Sequence, residues 1–258
     1  MDWERIFTVK PDEKPLDYFV EGISNTAIFR TMAFIGDSLS SGEFESRNPE
    51  GNADYHDYFE YSWGQYIARK NGLKAYNFSR GGMTAGGYQD WFASSMDYWN
   101  PEYAAQAYVI ALGVNDIINF EYELGTVDDI NLENCWENKD TFAGYYGRII
   151  QRYKAIQPRA KFFLVTMPRE NFKDDKREAH AKLLYDMATL FDNCYVIDLF
   201  KYAPVYDEAF KEKFYLYGHM TATGYIFTAN IIDSYIDYII RKNPDDFKYV
   251  PFIGTDLK

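Results

Sequence analysis

The sequence has few of the residues that most metal and disulfide sites require. Its 258 residues include only two cysteines, Cys135 and Cys194, and three histidines. No group of His, Cys and Asp residues has the spacing of metal ligands. Two distant cysteines without a CxxC pair are typical of reduced, buried thiols in an intracellular protein. We therefore expect no disulfide framework, no metal and no other cofactor.

Long apolar runs and a basic charge are also missing. No run approaches eighteen uninterrupted apolar residues, so no transmembrane span is predicted. Residues 1–5 are charged and lack the apolar core of a signal peptide. Lys and Arg number 27 against 39 Asp and Glu, for a formal net charge of −12, which disfavours binding to nucleic acid or to an anionic membrane surface. These features predict a cytoplasmic protein whose partner is a small molecule.

Five apolar runs of strand length alternate with longer helical patterns. The runs cover residues 31–36, 73–78, 108–112, 162–166 and 195–199, and the helical patterns cover residues 59–71, 84–98, 141–156, 176–191 and 222–241. Continuous apolar character is typical of parallel strands that are buried on both faces. The alternation predicts a doubly wound α/β fold, in which ligands bind at the carboxyl ends of the strands. We expect one domain over residues 1–258, with an N-terminal extension (1–30) and a C-terminal tail (243–258).

Three short segments at the ends of predicted elements carry the candidate catalytic side chains. They read IGDSLS at 35–40, GVND at 113–116 and GH at 218–219. Ser38, Asn115 and His219 are the residue types of a serine acyl hydrolase, namely a nucleophile, a donor to an oxyanion and a general base. A fourth segment, NFSRGGMT at 77–84, places glycines before a helix, where backbone N–H groups face a developing negative charge. Each segment alone is compatible with ordinary turn and capping residues, but the combination in this order favours a catalytic site.

His219 is the candidate base among the three histidines. His56 lies in a predicted polar loop, and His180 lies in the middle of a helical pattern where a surface position is expected. His219 precedes the last predicted helix, from which an imidazole can reach back over the edge of the sheet. No GxGxxG or P-loop spacing is present, so a nucleotide site is not predicted.

The motifs resemble those of the SGNH, or GDSL, hydrolase family of esterases and acyl hydrolases over residues 31–225. The resemblance implies that Ser38 is the nucleophile, with its backbone N–H also serving the oxyanion hole. It further implies that Gly82 and Asn115 are oxyanion donors and that His219 is the base. The fold that it implies is a flavodoxin-like three-layer α/β/α sandwich, in agreement with the five-stranded parallel sheet predicted above.

The last motif departs from the family pattern at one position. The family usually has DxxH there, with the aspartate orienting the histidine, whereas this chain has Leu216. A hydrocarbon cannot hold the imidazole tautomer or stabilise the imidazolium. Three alternatives stay open: a backbone carbonyl near Leu216, which we favour; a remote carboxylate, either Asp198 or Asp207; or a site that has lost catalysis.

Two long segments, residues 42–58 and 118–140, are expected to border the pocket. The second carries an excess of acidic residues, which disfavours phospholipid and acyl-CoA substrates; they are Glu121, Glu123, Asp128, Asp129, Glu133, Glu137 and Asp140. Several aromatic residues are candidates for stacking on sugar rings; they are Tyr55, Tyr58, Tyr61, Trp63 and Trp136. The sequence therefore predicts a serine esterase for a small acyl ester, with an acetylated saccharide fitting best. The alternative is a non-catalytic saccharide-binding protein on the same fold.

Overall fold

The computed structural model describes residues 3–256. Its strands are β1 Thr31–Gly36, β2 Glu43–Arg47, β3 Ala53–Asp57, β4 Lys74–Ser79, β5 Ala107–Ala111, β6 Lys161–Val165, β7 Cys194–Ile197, β8 Tyr215–Leu216 and β9 His219–Met220. Its α-helices are α1 Ser38–Ser41, α2 Trp63–Asn71, α3 Ala85–Gly87, α4 Ala93–Ser95, α5 Phe142–Ile156, α6 Asp175–Leu190, α7 Leu199–Tyr202, α8 Glu208–Phe214, α9 Ala222–Lys242 and α10 Pro244–Phe247. The 3₁₀ turns are Trp3–Ile6, Asn25–Ile28, Phe59–Tyr61, Pro101–Tyr103, Val127–Asp129, Cys135–Glu137 and Val250–Phe252. Two segments, Tyr88–Phe92 and Val114–Asn119, are π-helical.

The central sheet has five parallel strands in the order β4-β1-β5-β6-β7. Counted along the chain, these are sheet strands 2-1-3-4-5, which is the flavodoxin-like order. Gly36, the last residue of β1, pairs with Ser79 on β4 and with Ala111 on β5. The carboxyl ends of these three strands therefore meet at one edge of the sheet. The predicted five-stranded parallel sheet is confirmed, with strand boundaries within one or two residues of those expected.

Two hydrophobic clusters cover the two faces of the sheet. Successive residues of β1 alternate between them: Ile35 belongs to the cluster that contains Tyr146 and Ile149 of α5, whereas Phe34 belongs to the cluster that contains Ile232 of α9. Side chains point alternately to opposite faces of a strand, so a run that is apolar at every position requires helices on both faces. The result is the expected three-layer α/β/α arrangement.

The polar side of α9 is buried. Asp233, Asp237 and Arg241 are each at most 4% exposed, because residues 13–25 lie across them. Ser24 Oγ donates to Asp233 at 2.7 Å, and Arg241 donates to Glu13 at 2.8 Å. These charged groups are paired, which a buried charge requires.

The prediction that His180 lies at the surface is wrong. On α6, the buried stripe runs through His180, Leu184 and Met187, and His180 is fully buried. Its Nδ1 accepts a hydrogen bond from the Met167 N–H at 3.5 Å. Burial lowers the pKa of His180 to about 4. The imidazole is therefore neutral and is part of the packed interior.

The two cysteines are unpaired, Cys194 being buried and Cys135 partly exposed. Across residues 3–256, none of the helices combines the length and the apolar character that crossing a bilayer requires.

Candidate active site

Ser38 stands immediately beyond β1, at the start of α1. The Asp37 side chain caps this helix by accepting a hydrogen bond from the Leu39 N–H at 3.0 Å. Gly36 is needed at the turn, because a Cβ there would lie 2.9 Å from the Ala111 carbonyl oxygen. The chain thus turns sharply at the end of the strand, and Ser38 lines the cleft above the sheet.

Gly82 lies in the loop between β4 and α3, beside the same cleft. Its φ of +70° is in the left-handed region, which favours glycine. Within residues 3–256, no hydrogen bond engages the backbone N–H of Gly82 or that of Ser38. Two backbone donors are therefore free at the edge of the cleft.

Asn115 lies in the π-helical segment Val114–Asn119, which is separated from the end of β5 by two residues. Its Nδ2 donates to the Met83 carbonyl oxygen at 3.0 Å, and its Oδ1 accepts from Asn119 Nδ2 at 2.8 Å. These two contacts fix which end of the amide is the donor. One N–H of the amide remains for a ligand in the cleft.

His219 begins β9 and contacts a carboxylate at each ring nitrogen. Nδ1 lies 3.0 Å from Glu45 Oε2, which also accepts the Gly218 N–H at 2.9 Å. Nε2 lies 3.0 Å from Glu43 Oε1. Ser38 Oγ has no hydrogen-bond partner within the described part of the chain. The imidazole is thus held between two glutamates, and its Nε2 faces Glu43 rather than the serine.

Both glutamates come from β2, the first strand of the β2–β3 hairpin (residues 43–57). Residues two apart on a strand share a face, so Glu43 and Glu45 both face His219. Phe44 faces the other way and packs against three tyrosine rings with centroids 5.4–6.1 Å away; they belong to Tyr58, Tyr61 and Tyr225. Part of the segment expected to be a long loop is therefore an ordered hairpin beside the histidine.

The charges at the site shift several pKa values. Burial lowers the pKa of His219, but hydrogen bonds and charges from Glu43 and Glu45 outweigh it and raise this pKa above its usual value. Burial raises the pKa of Glu45, but hydrogen bonds from His219, Gly218 and Arg47 make the net shift downward. Burial dominates at Asp37, whose pKa rises to about 7. The geometry thus favours an imidazolium between two carboxylates.

The groups expected to orient His219 lie elsewhere. Nδ1 contacts the Glu45 carboxylate and not a backbone carbonyl near Leu216, and the Leu216 side chain is half exposed. Asp198 accepts hydrogen bonds from Tyr185 and from the Lys201 N–H. Asp207 caps α8. Sequence reasoning missed Glu45, because β2 lies 174 residues away along the chain; the signal present was the alternation of Glu43, Phe44 and Glu45.

A single cleft of about 610 Å³ brings Ser38, Gly82, Asn115 and His219 together. Tyr55 lines it as well, but the other proposed sugar-stacking aromatics do not. Trp63 is 2% exposed and packs on Phe34. None of the seven acidic residues of segment 118–140 lines this cleft; for example, Asp129 pairs with Lys139.

Residues 34–226 match the model of the GDSL-like lipase/acylhydrolase family. The chain belongs to this family. No curated protein sequence matches this family member.

Several solved structures are similar to this GDSL-like protein. A family two carbohydrate esterase from Clostridium thermocellum, in complex with cellohexaose, is 15% identical with a TM-score of 0.58, over 86% of this chain and 67% of that one. A carbohydrate esterase family 2 enzyme plus carbohydrate binding domain from Corynascus thermopiles is 14% identical with a TM-score of 0.55, over 82% and 66%. The psychrotrophic esterase EstA from Pseudoalteromonas sp. is 15% identical with a TM-score of 0.53, over 83% and 100%. At these identities the likeness shows a shared fold.

Proposed function

We propose that the protein is a serine esterase that cleaves a small acyl ester through an acyl-enzyme. The observation that carries this proposal is the single cleft lined by Ser38, Gly82, Asn115 and His219. The four positions supply a nucleophile, free backbone and amide donors, and a base, which are the parts that acyl transfer requires. Family membership supports hydrolysis as the reaction class.

In the first half-reaction, His219 Nε2 takes the hydroxyl proton as Ser38 Oγ bonds to the ester carbonyl carbon. The N–H groups of Ser38 and Gly82 and the Asn115 amide donate to the oxyanion. The tetrahedral intermediate expels the alcohol, which receives the proton from His219. In the second half, His219 deprotonates a water molecule, which attacks the acyl-Ser38 ester and releases the carboxylic acid.

Glu45 takes the role of the acid that orients His219. It lies 3.0 Å from Nδ1, is 8% exposed, and is itself held by the Gly218 N–H. A carboxylate on Nδ1 holds the imidazole in the tautomer whose Nε2 accepts a proton, and it stabilises the imidazolium. This acid comes from the β2–β3 hairpin instead of the position of Leu216. During the reaction, Nε2 exchanges Glu43 for the Ser38 hydroxyl.

The space around the serine favours a short acyl group. An apolar cavity of about 70 Å³ adjoins the cleft through Asp37, Leu39 and Val114. This volume is small beside the roughly 300–1,000 Å³ of pockets that hold whole drug-sized ligands. Acetyl fits best, and the carbohydrate esterases among the similar structures favour a saccharide as the alcohol.

The test is the hydrolysis of p-nitrophenyl acetate by the wild type and by Ser38→Ala. Ser94→Ala is the matched control, because Ser94 is exposed on α4 and lines neither the cleft nor the apolar cavity. We expect Ser38→Ala to lose turnover and fluorophosphonate labelling, and Ser94→Ala to keep both. Equal rates for the wild type and Ser38→Ala would refute the proposal.

The second candidate is a saccharide-binding protein without turnover. The contact between His219 Nε2 and Glu43 favours it, because the base is engaged by a carboxylate and not by Ser38. It predicts saccharide binding with no ester hydrolysis and no fluorophosphonate adduct. Stoichiometric labelling that depends on Ser38 would exclude it.

A further inference from the structure

A second cavity adjoins the catalytic cleft on the side of Gly82. It has a volume of about 710 Å³, and both cavities are lined by Arg80, Gly81 and Gly82. We call it the aromatic cavity. Its volume lies within the roughly 300–1,000 Å³ range of small-molecule sites. A ligand whose reacting ester is at Ser38 can therefore extend across Gly82 into this space.

Three aromatic side chains of the aromatic cavity are half exposed. Trp91, Phe120 and Tyr122 keep 48%, 54% and 53% of their surface in solvent. The Phe120 and Tyr122 rings stack at 5.5 Å with an interplanar angle of 19°. Large apolar side chains grouped around one concave surface mark an interaction site rather than a packing requirement.

The aromatic cavity is lined by side chains of both negative and positive charge. Asp90, Glu123 and Asp140 supply acceptors. Arg80 supplies donors: its guanidinium lies over the Trp91 ring at 5.1 Å and makes no hydrogen bond or ion pair within residues 3–256. The carboxylates repel an anionic ligand, and the positive charge of Arg80 over one face of Trp91 disfavours a cation beside that ring. A neutral ligand with apolar faces and many hydroxyl groups matches this lining.

The backbone is π-helical at or beside two of these aromatic residues. Trp91 belongs to the π-helical segment Tyr88–Phe92, and Phe120 directly follows the π-helical segment Val114–Asn119. These are the two π-helical segments of the described residues. Such turns occur frequently at functional sites. Each segment, or the residue that follows it, presents an exposed aromatic ring to the same cavity. This backbone observation supports a functional site independently of the chemistry of the lining side chains.

We infer that the aromatic cavity binds the saccharide part of the substrate. Sugar C–H faces stack on Trp91 and on the Phe120–Tyr122 pair, while hydroxyl groups donate to the carboxylates and accept from Arg80. The assignment of this saccharide as the alcohol of the ester rests on the proposed function, whereas binding itself does not require turnover. The cavity therefore sets specificity for the leaving group.

The first experiment measures binding without chemistry. Cellohexaose, xylohexaose and mannohexaose are titrated calorimetrically into Ser38→Ala, then into Ser38→Ala combined with Trp91→Ala or Tyr122→Ala. We expect at least one oligosaccharide to bind, and each added substitution to weaken its binding about tenfold or more. Trp136→Ala is the matched control, since Trp136 is 64% exposed and lies outside the cavity. Circular dichroism confirms that each variant folds.

Two outcomes would overturn the inference: no binding of any of the three oligosaccharides, or binding that Trp136→Ala weakens and Trp91→Ala and Tyr122→Ala do not. In a second experiment with the Ser38 enzyme, Trp91→Ala should raise KM for an acetylated oligosaccharide and leave kcat/KM for p-nitrophenyl acetate unchanged. An equal loss with both esters would also overturn it. Saccharide binding that needs Trp91, in a protein that hydrolyses no ester, would refute the proposed function and leave the site assignment standing.

Discussion

Replacement of Glu45 tests how His219 is oriented. In Glu45→Gln, one oxygen becomes an amide nitrogen, and the two oxygen positions differ in their partners. Oε2 accepts from the Gly218 N–H and faces Nδ1 of His219, whereas Oε1 accepts from Arg47. The Arg47 side chain is 33% exposed and can turn into solvent, so the amide nitrogen takes the Oε1 position. The glutamine oxygen then still accepts from Nδ1, and only the charge is lost.

The magnitude follows from this geometry. A hydrogen bond to a charged group contributes about 1.5–3 kcal/mol, against about 0.5–1.5 kcal/mol for a neutral pair. The difference of about 1–1.5 kcal/mol corresponds to roughly a tenfold lower kcat for Glu45→Gln. Glu45→Ala also removes the acceptor that selects the tautomer, a defect that costs about 10⁴ in the serine protease template. We therefore expect a loss of about 10²–10⁴ for Glu45→Ala.

The assay is steady-state hydrolysis of p-nitrophenyl acetate by the three proteins, with thermal melts to show that each is folded. Asp54→Asn is the control, because it makes the same chemical change on the same hairpin at a residue whose side chain is 52% exposed. We expect Asp54→Asn to retain wild-type kcat. A kcat for Glu45→Ala within twofold of the wild type would refute the role of Glu45. Equal losses for Glu45→Gln and Glu45→Ala would refute the reasoning about its two oxygens.

Three further predictions concern the surrounding groups. Glu43 helps to raise the pKa of His219 against the lowering effect of burial, so neutral His219 forms only above this raised pKa. Glu43→Gln should therefore move the acid limb of the kcat/KM profile to lower pH. An acid limb at the wild-type pH would contradict this prediction. Asn115→Ala should lower kcat by about 10²–10³ through loss of an oxyanion donor; a changed KM with normal kcat would make Asn115 a substrate-binding residue. Asp198→Asn should keep kcat but lose about 1–3 kcal/mol of unfolding free energy, measured by urea denaturation. The reason is that Asp198 is 3% exposed and accepts hydrogen bonds from neighbouring groups. A collapse of kcat in the folded variant would make Asp198, and not Glu45, the acid that acts on His219.

The fold was predictable wherever local sequence determines the structure. β1 has the expected boundaries, 31–36, and the five strands and the long helices follow from apolar period and length. The two π-helical segments were not predictable, because one extra residue per turn leaves little trace in a hydrophobic pattern. The burial of His180 and of the polar side of α9 depends on long-range partners, such as Glu13 for Arg241, which no local pattern contains.

The residues of the candidate site also fall into a group that was predictable from the sequence and a group that was not. Ser38, Gly82, Asn115 and His219 follow strand ends or precede a helix, and parallel topology brings strand ends together. Glu43 and Glu45 reach His219 because of how a hairpin folds back over the cleft. That placement is set by the packing of Phe44 against tyrosines and is not visible in the spacing of the motifs.

Because His219 is held by the β2–β3 hairpin, the stability of the candidate site differs from that of the sheet. A two-stranded hairpin is marginally stable without further packing, and this one is anchored by the Phe44 ring and by a 2.6 Å hydrogen bond from Tyr225 to the Glu43 carbonyl. Local opening costs less than global unfolding in such elements. Molecules with an open hairpin would keep the whole five-stranded sheet and lose both carboxylates from His219. We therefore expect activity to be lost at a lower temperature than the one at which the sheet melts.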